Sequence, residues 1–378
     1  IRNKKLLFVV NVDWYFKLHW MDRMHAARNA GYDVYLATNF SDKEFFREQE
    51  EAGIKVVDVN LSRSGLNPLA ELLSIFRIFK LVNRIEPDII HSITVKPNLY
   101  AGIVARFRNI PVVCSITGLG VIFSRKSRKN RIIKLIVSSC YRFIARNRKS
   151  TFLFENYSDR DLFISKNIVA ESRARRISGA GVDIEAYNYT PEEDGAIPSV
   201  LFAARLLEDK GLRSLVEAAK IVNQTATNIE LRVAGIFDES AQNAISREEI
   251  EKWSDQKDII WLGTRSDMST LISSSSIVCL PTTYGEGIPR ILIEACACGR
   301  AVVTTDVSGC NEFITDGHNG LIVPPNDTAA LAEALTRLAK SPSLRKEMGL
   351  NGRTLVVNEY TRETVIDQTF ETYDQLLA

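Results

Sequence analysis

The 378-residue chain predicts an α/β protein made of two doubly wound parallel sheets. Three observations carry this expectation. Short apolar runs alternate with longer segments of helical period, the pattern of strands buried on both faces and joined by crossover helices. The alternation lapses near residue 178 and restarts near residue 199. The length is too great for one core and suits two domains. Residues 1–180 are expected to form the first domain and 181–378 the second. The linker falls at Ser178-Gly179-Ala180-Gly181-Val182-Asp183, with a second polar stretch at 190–198.

In the first half, strands are expected at 6–10, 33–37, 55–59, 89–92, 112–116 and 151–154. Helices are expected at 16–30, 42–52, 67–85, 97–107 and 158–166, with a further one inside 125–149. Gly31 suits the end of the first helix, and Glu86-Pro87-Asp88 makes a turn before the fourth strand. In the second half, strands are expected at 200–203, 230–234, 259–261, 277–280, 301–304 and 320–323. Helices are expected at 212–222, 246–253, 268–274 and 328–339, and one is opened by Pro289. A last helix, 361–377, is a candidate to pack back on the first domain.

Composition narrows the function classes. With 45% hydrophobic and 25% charged residues the chain is globular. No apolar stretch reaches the length of a bilayer span. The start of the chain reads as a buried strand rather than a signal peptide, because its apolar run is short and no small-residue cleavage site follows. The six cysteines form no disulfide framework, and Cys296 with Cys298 lacks a second ligand pair for zinc. Reduced core thiols and a cytoplasmic location are expected.

The net charge of +2 conceals an asymmetry. Residues 1–190 hold 31 Lys/Arg and 18 Asp/Glu, whereas 191–378 hold 17 and 28. The densest stretch, 125–149, has ten basic residues and no acidic one, with apolar residues at helical spacing. A basic amphipathic helix suits the anionic inner face of a membrane, as a peripheral contact. The plainer alternative is a solvated basic face on a core-packing helix. Nucleic acid is not expected, since no aromatic platform or known motif accompanies the charge.

The residues with chemical potential fall after strand ends, where ligands bind in doubly wound sheets. In the first domain these are Asn11 and Asp13, then His91, then Thr117-Gly118-Leu119-Gly120. In the second they are Arg205, Gly235, Gly263 and Glu286. Thr283-Tyr284-Gly285-Glu286-Gly287-Ile288-Pro289 followed by Glu294 places one glutamate on a loop and another inside the helix that Pro289 opens. A helix start with free N–H groups is an anion site. Gly285 and Gly287 are expected to allow close backbone approach or a positive φ. Taken alone, two glutamates eight positions apart are more often solvated than functional. Arg205 and Lys210, in Ala204-Arg205-Leu206-Leu207-Glu208-Asp209-Lys210-Gly211, can neutralise a diphosphate together, one as a planar fork and one as a point charge. The stretch lacks the ending of a P-loop.

These segments resemble the retaining GT-B glycosyltransferases of family 4. The likeness runs through Ala204-Arg205-Leu206, Lys210-Gly211, Glu286-Gly287-Ile288-Pro289 and Glu294. It extends to Gly179-Ala180-Gly181-Val182-Asp183, Trp261-Leu262-Gly263-Thr264-Arg265 and Val307-Ser308-Gly309-Cys310-Asn311-Glu312. Asn11-Val12-Asp13 with His19, Thr94-Val95-Lys96-Pro97-Asn98 and Thr117-Gly118-Leu119-Gly120 look like the branch acting on polyprenyl-diphosphate-linked sugars. One departure is Val12-Asp13-Trp14-Tyr15, where many members carry a glycine pair.

The resemblance implies two Rossmann-like domains facing each other across a cleft, a UDP-sugar donor, a lipid-linked glycan acceptor and transfer with retained configuration. Arg205 and Lys210 would hold the diphosphate, Glu294 the ribose and Glu286 the donor sugar, with the backbone at Gly287 and Ile288 close by. His91 would lie near the reacting centre; its alternative is a structural histidine. Asn11, Asp13, Thr117 and Gly118 would face the acceptor, while His19 and His25 pack on the first helix. No metal or other cofactor is expected, since Arg205 and Lys210 supply the positive charge. A nucleotide-sugar epimerase and a non-catalytic sugar-binding protein are the competing expectations.

Overall fold

The computed structural model describes residues 2–61, 67–119, 128–192, 197–238, 241 and 243–378. Gly120 and residues 125–127, on which expectations fell, lie outside them. The chain divides into two compact units, one of residues 1–180 with 363–378 and one of residues 181–362.

The first unit holds a seven-stranded parallel sheet. Its strands are β1 Lys5–Val9, β2 Asp33–Thr38, β3 Lys55–Asp58, β4 Ile89–Ile93, β5 Val112–Ile116, β6 Ser150–Phe154 and β7 Ala174–Arg176, in the order β3-β2-β1-β4-β5-β6-β7. Strand β1 shows why both faces are covered. Leu7 and Val9 join the core under α4 Pro68–Ile85, α5 Val95–Arg108 and α6 Arg128–Ala145. Leu6 and Phe8 join the core under α1 Asp13–His19, α2 Met21–Asn29 and α3 Lys43–Glu51, which also takes Tyr373 from the final helix, Arg362–Leu377. A seventh helix, α7 Tyr157–Ser165, follows β6.

The structure departs from expectation in three places here. The single helix at 16–30 is two helices that break at Trp20, whose backbone leaves the helical region while its indole is buried. Helix α5 begins at Val95, so Pro97 lies in its first turn, where a missing N–H costs no hydrogen bond. Strand β7 was not expected; its Ala-Arg-Arg sequence has no apolar alternation, as befits a short edge strand.

The second unit holds six parallel strands: β8 Ser199–Arg205, β9 Glu230–Ile236, β10 Ile260–Gly263, β11 Ile277–Leu280, β12 Ala301–Thr305 and β13 Leu321–Val323. Their order is β10-β9-β8-β11-β12-β13. The helices are α8 Leu212–Asn223, α9 Arg247–Asp255, α10 Met268–Ser273, α11 Arg290–Ala297, the short α12 Cys310–Phe313, α13 Thr328–Lys340 and α14 Pro342–Glu359. Helix α14 was not expected, because Gly349 and Gly352 interrupt its pattern. Both glycines have a packing cause. A Cβ on Gly349 would stand 2.0 Å from the Gly299 carbonyl oxygen, and one on Gly352 would stand 2.7 Å from the Cys296 sulfur. Small residues let α14 lie directly against α11 and so fix the helix that carries Glu294.

Strand order reverses between β1 and β4 in the first unit and between β8 and β11 in the second. Those are the switch points at which doubly wound sheets bind ligands, beyond the carboxyl ends of the strands.

Candidate active site

At the second unit's switch point, Arg205 ends β8 and the 281–289 loop follows β11. Lys210 sits on a single 3-10 turn, Glu208–Lys210, that closes on Gly211. Gly211 has φ +79°, and a Cβ there would be 2.0 Å from the Pro281 carbonyl oxygen. Only glycine lets this turn press against the end of β11. Asp209 locks the contact, because its carbonyl accepts hydrogen bonds from the Thr283 N–H (2.8 Å) and the Thr282 hydroxyl (3.1 Å).

The result is a short, mostly buried ion pair. Lys210 Nζ lies 2.6 Å from both Glu286 carboxylate oxygens and 5.5 Å from the centre of the Tyr284 ring. Burial pushes the Lys210 ammonium down, but attraction to Glu286 and Tyr284 outweighs it and the group titrates above an ordinary lysine. Arg205 is near enough for its charge to oppose that rise. Arg205 is itself held by Asp238, Nη1 to Oδ2 at 3.3 Å.

Glu286 keeps its place through the backbone, its N–H donating to the Ser308 carbonyl at 3.1 Å. The glycine this turn requires is Gly309. It has φ +84°, and a Cβ there would be 1.7 Å from the Gly287 carbonyl oxygen. The expected positive φ at Gly285 or Gly287 is not found at either residue. Pro289 precedes α11 as its N-cap, and the helix closes through Cys298 onto Gly299, which has φ +72°. Ile288 is buried, as is Gly287. Glu294 is buried one turn into α11, where its carboxylate accepts from Arg290 Nε at 2.7 Å and bonds the Tyr187 hydroxyl. A carboxylate has about four acceptor positions, so this bracing leaves capacity for a ligand diol.

Two glycines fall differently. A Cβ on Gly235 would meet Leu206 Cδ2 at 2.7 Å and the Ala204 carbonyl at 2.8 Å, so its small size serves the neighbouring strand. Gly263 ends β10, which lies beyond β9 and β8 from the switch point, about 10 Å from β8 at the usual strand spacing. The strand order does not bring it to the Lys210–Glu286 pair.

In the first unit, Asn11 lies at the switch point after β1 and accepts from the Thr94 hydroxyl at 3.1 Å. Thr94 has φ 73° and ψ 166°, a conformation close to glycine-only space. Asp13, expected to face the acceptor, presents no exposed carboxylate. It is buried and accepts from the Trp14 N–H (2.7 Å), the Ser41 hydroxyl (2.8 Å) and the Asp42 N–H (3.1 Å), bracing the α1 start against the α3 start. Thr117 follows β5 and its hydroxyl bonds Tyr15, and Gly118 has φ +114°.

The strand-end placement of His91 is also corrected. It is the middle residue of β4 and fully buried. Nδ1 lies 2.5 Å from the Tyr373 hydroxyl and Nε2 2.7 Å from the Ser115 hydroxyl, while Phe8 stacks on the ring and Trp20 meets it edge-on. Burial, then the charge of Arg23, hold its pKa well below that of an ordinary histidine, so the ring is neutral. His19 belongs to α1, its ring centre 4.5 Å from that of Tyr15, and His25 to α2; both are half-buried.

Sequence reasoning did not single out Asp238, Tyr284, Arg290 or Tyr187 as site residues. Arg290 was legible, because it stands four residues before Glu294 on one helix face. The Tyr187 contact arises from tertiary structure and left no local signal.

Two doubly wound parallel units, one with paired cations and carboxylates at its switch point, define the GT-B architecture. Residues 5–154 match the family model described as glycosyl transferase 4-like, and residues 190–355 match glycosyl transferases group 1. A Campylobacter jejuni protein, N,N'-diacetylbacillosaminyl-diphospho-undecaprenol alpha-1,3-N-acetylgalactosaminyltransferase, is 26% identical over 88% of this chain and 89% of its own length. The capsular polysaccharide biosynthesis glycosyltransferase CapM of Staphylococcus aureus is 22% identical over 100% of this chain and 98% of its own. Anabaena HepE, solved in complex with UDP and glucose, shares the fold with a TM-score of 0.79 at 19% identity, over 99% of this chain and 100% of that one. The chain belongs to the group 1, 4-like glycosyltransferase family, and it is a glycosyltransferase.

Proposed function

We propose that the enzyme transfers a hexose or N-acetylhexosamine from a UDP-sugar to a polyprenyl-diphosphate-linked glycan, with retained configuration, in surface polysaccharide or glycan biosynthesis. The observation that carries the proposal is the Arg205, Lys210 and Glu286 group at the β8/β11 switch point. Lys210 is neutralised by Glu286 at 2.6 Å. A diphosphate offers Lys210 a second, doubly charged partner, and Arg205 with the α11 start offers further positive potential. Glu286 is then released to accept from sugar hydroxyls. Glu294, kept buried by Arg290 and Tyr187, takes the ribose diol.

In the reaction the bond from the anomeric carbon to the diphosphate oxygen breaks. The acceptor hydroxyl oxygen bonds to that carbon from the same face, and its proton passes to the departing diphosphate. Arg205 and Lys210 stabilise the charge that develops there, the largest contribution such a site makes. Glu286 positions the sugar and forms no covalent bond. The two cations do the work a divalent metal does elsewhere, so the reaction is proposed to need none. The relatives support the substrates: one is named for N-acetylgalactosamine transfer onto a diphospho-undecaprenol sugar, one for capsular polysaccharide, and one was solved with UDP and glucose. His91 is proposed as a structural residue, with both ring nitrogens bonded. Asn11, Thr117 and Gly118 are proposed to meet the acceptor, and the basic stretch 125–149 to draw the enzyme to the inner membrane face.

The test is a panel of nucleotide sugars screened by thermal stabilisation, then assayed with a lipid-linked acceptor in EDTA. A UDP-sugar is expected to raise the melting temperature and to be turned over with the chelator present. Glu286→Gln is expected to stay folded and lose transfer about a hundredfold. Full activity in that variant, or release of an epimerised free nucleotide sugar from donor alone, sinks the proposal.

A further inference from the structure

We infer that Tyr284 is a positioning residue: it holds Lys210 toward the donor diphosphate while the carboxylate of Glu286 turns from Lys210 to the donor sugar. This hand-over presupposes the UDP-sugar donor already proposed.

The need for such a residue follows from the partners of Lys210. The side chain is buried, and a buried ammonium needs acceptors for its three N–H groups. Glu286 supplies two oxygens, each at 2.6 Å. In the proposed reaction that same carboxylate accepts from hydroxyls of the sugar. Lys210 then relies on the diphosphate and on whatever else the protein keeps beside it. Its four-carbon stem is flexible, unlike the planar fork of Arg205. Without a second protein partner the ammonium follows Glu286 as readily as it stays with the phosphate oxygens.

Tyr284 is that second partner. Its hydroxyl bonds the Lys210 ammonium, and its ring centre lies 5.5 Å from Nζ. Burial, then the charge of Glu286, push the hydroxyl above an ordinary tyrosine, so it keeps its proton at neutral pH. The oxygen of a neutral phenol accepts from Lys210 while its own O–H remains a donor. Such a group holds an ammonium without cancelling its charge. Glu286 differs in this respect, because its carboxylate neutralises Lys210 and competes with the diphosphate for it. The charges of Glu286, Lys210 and Arg205 all act on the Tyr284 hydroxyl, which therefore stands among the three charged groups.

The backbone keeps Tyr284 there from both sides. Before it, Thr283 donates its N–H and its hydroxyl to the Asp209 carbonyl, at 2.8 and 3.2 Å. After it, a Cβ on Gly285 would be 3.1 Å from Ser308 Cβ, and the Glu286 N–H donates to the Ser308 carbonyl at 3.1 Å. Asp209 immediately precedes Lys210. The backbone that carries the ammonium is thus bonded directly to the backbone that carries the phenol. None of these bonds uses the Glu286 side chain, so they stay intact when that carboxylate turns away.

The hydroxyl therefore matters when a sugar draws Glu286 off Lys210, and matters little when UDP binds alone. The test is calorimetric titration of wild type and Tyr284→Phe with UDP, UDP-glucose and UDP-N-acetylgalactosamine, with a urea midpoint for each protein. Tyr284→Phe keeps the ring beside Lys210 and removes one oxygen. It is expected to hold UDP within about twofold of wild type and to hold the UDP-sugar that wild type prefers about tenfold less tightly, the scale of one hydrogen bond to a charged group. A general loosening of the loop would weaken UDP and UDP-sugar alike, so the ratio of the two affinities separates positioning from stability. A ratio no lower than that of wild type overturns the inference and leaves the donor assignment standing. Wild type that binds no UDP-sugar overturns the donor assignment, and the hand-over falls with it.

Discussion

The two units share one topology and use it in opposite ways. At the second unit's switch point the side chains are charged and already paired: Lys210 with Glu286, Arg205 with Asp238, and Arg290 with Glu294. At the first unit's switch point they are neutral and small, Asn11 bonded to a strained Thr94, with the nearby carboxylate of Asp13 spent on local bracing. The positive charge of the first unit lies outside its sheet, on helices such as α6. A small, highly charged ligand is best met by preset, compensated charges, because these need little reorganisation when it arrives. The lipid-linked acceptor proposed for the first unit is a large amphiphile, which needs an opening and a surface. The difference therefore teaches that a doubly wound sheet fixes where a ligand binds, while the side chains at the strand ends decide what kind it is.

The largest expected effect breaks the charged site. Lys210→Met is expected to lower transfer by about a hundredfold to a thousandfold, the usual scale for losing one charge-stabilising donor. It also removes the ammonium that neutralises the partly buried Glu286, for which the expected destabilisation is about 3 kcal/mol. The double variant Lys210→Met/Glu286→Leu removes both charges. Its urea midpoint is expected to return close to that of wild type while activity stays absent. Such a result separates the pair's contribution to stability from its contribution to catalysis. A double variant as unstable as the single one contradicts the ion-pair account.

A smaller effect is expected at Asp238, which sharpens the distinction between holding a cation and exposing it. Asp238→Asn keeps the shape of the side chain but removes a negative charge near the diphosphate position. Coulomb repulsion of the nucleotide falls, so UDP is expected to bind about threefold more tightly by calorimetry. Arg205 loses its orienting carboxylate, and kcat is expected to fall about tenfold. Parallel losses in binding and kcat contradict a positioning role.

The fold was largely legible, and the limits of legibility are physical. Buried parallel strands such as β4, β5 and β6 announce themselves as apolar runs, and Pro289 and Gly299 bracket α11 as their chemistry dictates. Helix α14 was hidden because Gly349 and Gly352 answer to a close approach of another helix, which no local pattern records. Lys210 and Glu286 were both visible as candidates, but their ion pair spans 76 residues of sequence and depends on the Gly211 turn. Gly309 outranked the more conspicuous Gly285 and Gly287 for the same reason, since the constraint comes from a carbonyl on a different loop. Asp13 and His91 show the converse limit. Polar residues near strand ends invite a functional role, yet both satisfy their hydrogen bonds within the first unit.

The buried histidine of the first unit gives the smallest and most specific prediction. His91 is held well below the usual histidine range by burial, and next by Arg23. The unfolded chain titrates it near pH 6.5. Between that value and the lower folded one, the unfolded state binds a proton that the folded state refuses. Stability from this group is therefore present above about pH 6.5 and lost as pH falls below it, by up to about 1.4 kcal/mol per pH unit. Carboxylates begin to contribute nearer pH 5, so the interval from about pH 6.5 to 5.5 isolates histidine. His25, half-buried and shifted down mainly by burial, adds a weaker trend of the same sign. Chemical denaturation across this interval is expected to give a shallower pH slope in His91→Asn than in wild type, whatever the variant's absolute stability. Loss of the bonds to Tyr373 and Ser115 is expected to lower the absolute value as well. An unchanged slope would mean that His91 accepts its proton in the folded state, and the account of a neutral, buried His91 would fail with it.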